Sequence, residues 1–226
     1  MNAKLYLVST PIGNLKDITL RAIKVLSQVN IIACEDTRKT GLLLQKLEIK
    51  NKPLLLSYYE ENEQGRIPQI INYLKEGKSV ALVSNAGTPT ISDPGYKLVR
   101  ECLNEGILVE SLPGPSSVLT ALTVSGLPTD KFLFLGFLPK KEGKRKSILE
   151  SLPKKTTIIF FESPFRLLKT LKELKEIFSD INIVICRELT KVFEEVRREK
   201  ISQALVYFEK NQPKGEFTLL FNIPQA

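Results

Sequence analysis

Short apolar runs in the first half of the chain alternate with segments whose apolar residues recur every three or four positions. The runs Leu5–Ser9, Ile31–Glu35, Leu54–Tyr58, Val80–Ser84 and Ile107–Leu112 read as strands, and Ile18–Val29, Thr37–Leu47, Gln64–Lys75 and Gly95–Asn104 as helices. Asp17 and Asp36 stand where helix N-caps belong, and Gly77 and Gly106 where helices stop. Gly77-Lys78-Ser79 has the ending of a phosphate-binding loop, but Asn72 occupies the place of the upstream glycine, so the segment reads as a helix stop. Strands and helices in alternation predict an α/β fold with a mostly parallel sheet.

Pro113-Gly114-Pro115 breaks this alternation and marks a boundary between residues 1–114 and 115–226. Beyond it come a helix over Ser116–Ser125, strands Lys131–Phe137 and Thr156–Glu162, and a basic stretch Lys140–Lys155 between them. An amphipathic helix over Pro164–Phe178 carries Leu167, Leu168, Leu171, Leu174 and Phe178 on one face. Strands Asn182–Leu189, Glu194–Arg198 and Glu216–Ile223 then predict a second sheet of mixed direction. The 226 residues suit two α/β domains of about 110 residues each.

Composition narrows the chemistry. The chain has no histidine, which excludes a Ser-His-Asp triad, a Cys-His dyad and every histidine-based metal site, so no metal is implied. Proton removal must fall to a carboxylate, lysine, tyrosine or water. Three widely spaced cysteines, Cys34, Cys102 and Cys186, read as buried thiols. No apolar run approaches the roughly 18 residues of a membrane helix, and the start is too short for a secretory signal, so a soluble cytoplasmic protein is expected. The net charge of +8 divides as +1 over residues 1–130 and +7 over 131–226, which points the second half toward a polyanion.

In a parallel sheet, ligands bind beyond the carboxyl ends of the strands. Three loops there are rich in small residues and proline: Thr10-Pro11-Ile12-Gly13-Asn14, Asn85 through Gly95, and Pro113-Gly114-Pro115-Ser116-Ser117. Any one of them could be a plain turn; three on one edge describe a ligand site. The first lacks the Gly-x-Gly-x-x-Gly fingerprint, which speaks against a dinucleotide. Glu35-Asp36-Thr37-Arg38-Lys39-Thr40 follows the second strand, and Arg38 and Lys39 in a first helical turn oppose the helix dipole unless an anion meets them. In the second half, Phe161-Glu162-Ser163-Pro164-Phe165-Arg166 and Arg187-Glu188-Leu189-Thr190-Lys191 put charge at strand ends, while Lys140, Lys141, Lys144, Arg145, Lys146, Lys154 and Lys155 could neutralise several phosphates.

Taken in order, Leu5 through Leu15, Glu35-Asp36-Thr37-Arg38, Ala86-Gly87-Thr88-Pro89, Ser92-Asp93-Pro94-Gly95, Pro113-Gly114-Pro115-Ser116, Ser125 through Asp130, Gly136-Phe137-Leu138-Pro139, Arg187 through Lys191 and Lys214-Gly215-Glu216 closely resemble the ribosomal RNA small subunit methyltransferase I family of the tetrapyrrole methylase superfamily. The resemblance implies a two-domain tetrapyrrole methylase-like fold with S-adenosylmethionine in the cleft between the domains, a homodimer, and methylation of a cytidine ribose 2′-hydroxyl in the decoding region of 16S rRNA, as free RNA or in the small subunit. It assigns the cofactor to Ile12, Gly13, Asn14, Ala86, Gly87, Thr88, Ile91, Ser116, Ser117, Phe161 and Glu162. Asn85 departs from a common Asp, and Tyr59 and Glu61 replace two common histidines. Glu35 or Asp36 is then the candidate general base, with Glu188 and Lys191 as rivals, and Arg38, Lys39, Lys144, Arg145, Lys146, Arg166 and Arg187 are candidate contacts to RNA. A tetrapyrrole-type small-molecule methyltransferase and a non-catalytic RNA-binding protein of the same fold are the alternatives.

Overall fold

The computed structural model describes residues 3–223. Their contacts divide the chain into two compact units, one ending at Ser116 and one beginning at Ser117.

The first unit is a five-stranded sheet of β1 (Leu5–Val8), β2 (Ile31–Cys34), β3 (Leu54–Ser57), β4 (Val80–Val83) and β5 (Val109–Leu112), ordered β3-β2-β4-β1-β5, with every pair parallel. Helices α1 (Leu20–Leu26), α2 (Thr37–Lys46), α3 (Glu63–Lys75) and α4 (Tyr96–Asn104) connect them. Alternation along each strand builds two cores. Leu5, Ile31, Ala33, Val80 and Leu82 meet α3 and α4, whereas Tyr6, Val8, Ile32, Cys34, Ala81 and Val83 meet α1 and α2. The chain thus winds one way from β1 to β3 and the other way from β3 to β5. The reversal leaves β1 beside β4 with their loops leaving in opposite directions, the place where such sheets open a crevice.

Asp36 caps α2 as its position predicts, accepting from the amides of Arg38 and Lys39. Asp17 does not cap α1. It ends a short 3₁₀ turn, Leu15–Asp17, and the Thr19 side chain accepts from the Ala22 amide two residues later. Gly77 and Gly106 close α3 and α4: the amides of Gly77 and Lys78 return to the carbonyls of Leu74 and Tyr73, and those of Gly106 and Ile107 to Leu103 and Cys102.

The second unit opens with α5 (Ser117–Ser125) and holds a mixed sheet of β6 (Phe132–Phe137), β7 (Thr157–Glu162), β8 (Asn182–Arg187), β9 (Glu195–Lys200) and β10 (Phe217–Asn222), ordered β6-β7-β10-β8-β9. β6, β7 and β8 run one way, and β9 and β10 the other. One core joins Leu149 of α6 (Glu142–Glu150), Leu167, Leu171 and Leu174 of α7 (Leu167–Phe178), and Ile201, Ala204 and Phe208 of α8 (Ile201–Lys210) to Ile158, Phe160, Ile185 and Leu219 of the sheet.

Neither α6 nor α8 stands out in the sequence as an expected element. α6 has few apolar residues and is tied down by Arg145, which is only 3% exposed: its guanidinium forms a two-pronged ion pair with Glu173 of α7 and donates to the carbonyls of Pro139 and Lys140. The three cysteines are free and buried. Among the described residues, no helix is long and apolar enough to cross a membrane.

Candidate functional site

The loops after β1, β4 and β5 meet at the β1–β4 crevice. Thr10 and Gly87 exchange two backbone hydrogen bonds of 2.9 and 3.0 Å, stitching the first loop to the second. The Ser9 hydroxyl lies 3.1 Å from that of Thr88 and 3.3 Å from the Leu112 carbonyl, and Thr88 Oγ1 donates to the Pro115 carbonyl over 3.0 Å. The buried Ser84 hydroxyl donates to the carbonyls of Ala86 and Gly87, which curls the main loop back over the end of β4.

Two glycines make this possible. Gly87 has φ +84°, and a Cβ there would also meet Ile12 Cγ2 at 3.4 Å; Gly114 lies so close to Ser9 that a Cβ would fall 2.8 Å from the serine Cβ. Gly87→Ala should cost about 1–2 kcal/mol of stability from the left-handed backbone alone. A denaturant titration of the variant checks this, and a midpoint unchanged from the parent would contradict it. Farther along the loop Thr90 and Ser92 hold φ of +75° and +62°, a conformation that costs free energy in non-glycine residues and collects at binding loops. The end of the loop is anchored to the first unit: the Gly95 amide donates to buried Glu63 Oε1 over 3.2 Å, and Glu63 also binds the Tyr58 hydroxyl and Lys97.

Of the residues assigned to the cofactor, Ile12, Gly87 and Thr88 are therefore brought together, with Gly13, Asn14, Ala86 and Ile91 exposed on the same loops. Ser116 ends the first unit and Ser117 opens α5 of the second. In the second unit Phe161 packs against Phe134 and Phe137. The Glu162 side chain is fully buried and satisfied, accepting from its neighbour Ser163 N, from Arg166 and from Thr170 Oγ1. That carboxylate serves the fold, leaving none of its oxygens to a ligand.

Among the candidate bases, Asp36 is bonded to Arg38, whose guanidinium and amide hold its carboxyl down to about 2, so it is a poor proton acceptor. Burial would push the Glu188 carboxyl up, but the Glu216 amide and Lys191 bring it below the usual range. Lys191 in turn keeps its proton, since Glu188 and Glu216 outweigh its desolvation. Glu35 accepts from the Asn85 amide at 3.0 Å and its side-chain nitrogen at 3.3 Å, so Asn85 supplies a donor where the common Asp would have repelled. Tyr59 and Glu61 are exposed on a turn built by Asn62, which accepts from the Tyr59 amide and donates to the Ser57 carbonyl.

The residue that sequence reasoning missed is Asp93. It lies half-buried in the main loop, where desolvation first and the Glu35 charge second raise its carboxyl to about 6, against an opposing hydrogen bond from Ser84. Its position just before Pro94 and Gly95 gives it the look of turn material; only the approach of β2 and β4 reveals its neighbours.

The cationic set also needs correction. Arg145 is inside the second unit, and Arg166 is spent on Glu162 and the Leu138 carbonyl. Arg187 is held by the Lys214 carbonyl and Glu195. Arg38 relieves its unfavourable place in the helix through Asp36, with no outside anion required. Lys39, Lys144 and Lys146 are exposed.

Comparison with known proteins fits these loops. Residues 4–205 match the family model described as Tetrapyrrole (Corrin/Porphyrin) Methylases. Over 220 residues, 97% of this chain and 98% of the relative, it is 53% identical to "Ribosomal RNA small subunit methyltransferase I" of Thermotoga maritima. The chain belongs to the ribosomal RNA small subunit methyltransferase I family, within the tetrapyrrole methylases. A family relative of the same name from Hydrogenobaculum sp. is 48% identical over 97% of this chain and 95% of its own length. Among solved structures, uroporphyrin-III-C-methyltransferase from Thermus thermophilus superposes with a TM-score of 0.70 at 20% identity, covering 98% of this chain and 95% of that one. A structure of a uroporphyrin-III C-methyl transferase from Thermus thermophilus complexed with S-adenyl homocysteine gives 0.65 at 17% identity and covers 98% of each chain. At these identities the likeness is one of fold.

Proposed function

We propose that this chain uses S-adenosylmethionine to methylate the 2′-hydroxyl of a cytidine ribose in the decoding region of 16S rRNA. The observation that carries the reading is the 53% identity across nearly the full length to a ribosomal RNA small subunit methyltransferase I. The loops of the first unit suit the donor: Ile12 and Ile91 offer apolar contact, exposed Gly13 and Ala86 leave backbone open to approach, and Glu35 and Asp93 set negative charge beside it. When bound, S-adenosylmethionine supplies a methyl group on a positively charged sulfur.

The acceptor hydroxyl must lose its proton, and the chain has no histidine to take it. Asp93, at the end of the main loop with Glu35 from the end of β2 and Ser84 from the end of β4 as its charged and polar neighbours, is the proposed acceptor of that proton. Ionised near neutral pH yet still basic, such a carboxylate matches the needs of general-base catalysis. Glu35, tied to Asn85, keeps Asp93 basic through its own charge.

Incubation with isotopically labelled S-adenosylmethionine and small subunits lacking the modification tests the reading; label is expected in 16S rRNA. Label only in a tetrapyrrole acceptor would favour the small-molecule alternative. Binding of the RNA should weaken steeply with salt, and replacing Lys144 and Lys146 by alanine should flatten the slope of log K against log salt by about 0.7 for each lysine that touches a single-stranded phosphate. An unchanged slope would remove those lysines from the contact.

A further inference from the structure

The edge of the second sheet formed by the ends of β7 and β8 exposes aromatic rings that the fold does not use. Phe165, on the turn after β7, is 95% exposed, and Phe193, on the turn after β8, is 71% exposed, beside Val192 at 94%. Since β7 and β8 run in the same direction, both turns leave the sheet at the same edge, two strand positions apart, or about 10 Å. Neither turn is loose. The Arg166 and Leu167 amides return to the Ser163 carbonyl, and the Phe165 amide donates to Ser163 Oγ. Around Phe193, the Glu194 amide returns to the Lys191 carbonyl and Lys191 N to Glu188 O. Glu188 and Thr190 are held at positive φ, and Lys191 bridges Glu188 and Glu216. The turn backbones are thus fixed while both rings project into solvent, and aromatic rings held out in this way are available to a partner.

We infer that Phe165 and Phe193 are stacking platforms for unpaired bases of the RNA substrate, each engaging a different nucleotide of one strand. This rests on the rRNA reading above and adds to it residues of the second unit that hold unpaired bases of the substrate. Charge points to RNA. Lys140, Lys141 and Lys214 lie at the same sheet edge and, among the described residues, form no ion pair, and residues 131–226, with a net charge of +7, attract phosphates. Exposed aromatic rings among cations at a sheet edge are how single-stranded RNA is held, because every base has a π-face and the backbone carries the charge.

The test measures binding and turnover with unmethylated small subunits, using the full chain and the variants Phe165→Ala, Phe193→Ala, Phe165→Leu and Phe165→Tyr. Each alanine should weaken subunit binding, or raise its KM, by about 5- to 100-fold. The dissociation constant for S-adenosylmethionine and the melting temperature should stay at parent values. Tyrosine should restore binding and leucine should not, which separates stacking from plain apolar burial. Alanine variants that bind as the parent does, or a leucine variant as good as phenylalanine, overturn the inference, as does a change in sedimentation showing that the rings join two copies. If the parent protein binds S-adenosylmethionine but neither binds nor methylates the subunit, the rRNA reading fails and the platforms fail with it; if the parent works and only the alanine effect is missing, the reading survives alone.

Discussion

Asp93→Asn is expected to lower kcat about 10²- to 10⁴-fold while leaving the affinity for S-adenosylmethionine nearly unchanged. The asparagine keeps the size and the bond to Ser84 but cannot accept a proton. In the parent protein kcat/KM should rise with pH and level off above about 6, the value to which burial and Glu35 lift the Asp93 carboxyl; the variant's residual activity should lose that limb. Stability gives a second readout of opposite sign. A carboxyl whose folded-state pKa stands above its unfolded value keeps a proton that the unfolded chain has already lost, so the fold weakens as pH rises from about 4 to about 6 and is level beyond. Because solvent reaches the group, the cost is about 1–2 kcal/mol, less than the full shift implies. Asp93→Asn should therefore be more stable than the parent at pH 7.5 and show no such decline. A variant that is inactive and also less stable would point to a structural role for Asp93.

Arg145→Ala and Glu173→Ala should each destabilise the second unit by about 3–5 kcal/mol, because each strands a buried charge. Replacing both residues with leucine should recover most of that loss, since the desolvation of two ions disappears along with their attraction. Chemical denaturation of the three variants checks the expectation. The salt dependence of RNA binding should be unaffected in the double variant; a slope that flattens would return Arg145 to the cationic surface from which its burial removes it.

The contrast between Arg145 and Phe165 shows where sequence reading stops. Strand and helix periodicity gave the alternation of the first unit directly, because the central strands β2 and β4 are buried apolar runs and the helices carry apolar stripes. The loops between them were legible as a site because glycine and proline have few other reasons to gather on one sheet edge. Charge was less informative. The seven cations in Lys140–Lys155 look alike in sequence, yet Arg145 turns inward to Glu173, a partner 28 positions away. Asp93 was hidden for the same reason, since its basicity comes from Glu35 and Ser84 on other strands. α8 carries a signal in Ile201, Ala204, Leu205 and Phe208 at helical spacing, but the charged strand β9 runs directly into it with no stop between them. The exposure of Phe165 could not be read at all: a phenylalanine between Pro164 and Arg166 gives no sign of which way its turn will aim it.

The most direct test of the account is mass spectrometry of 16S rRNA fragments from unmethylated small subunits incubated with this protein and deuteriomethyl S-adenosylmethionine, read before and after alkaline hydrolysis. The account predicts a labelled methyl on a decoding-region cytidine whose 3′ linkage resists alkali, because the 2′-oxygen that would attack the phosphate is blocked. Label on a base, with the linkage cleaved normally, or no label in 16S rRNA at all would contradict it.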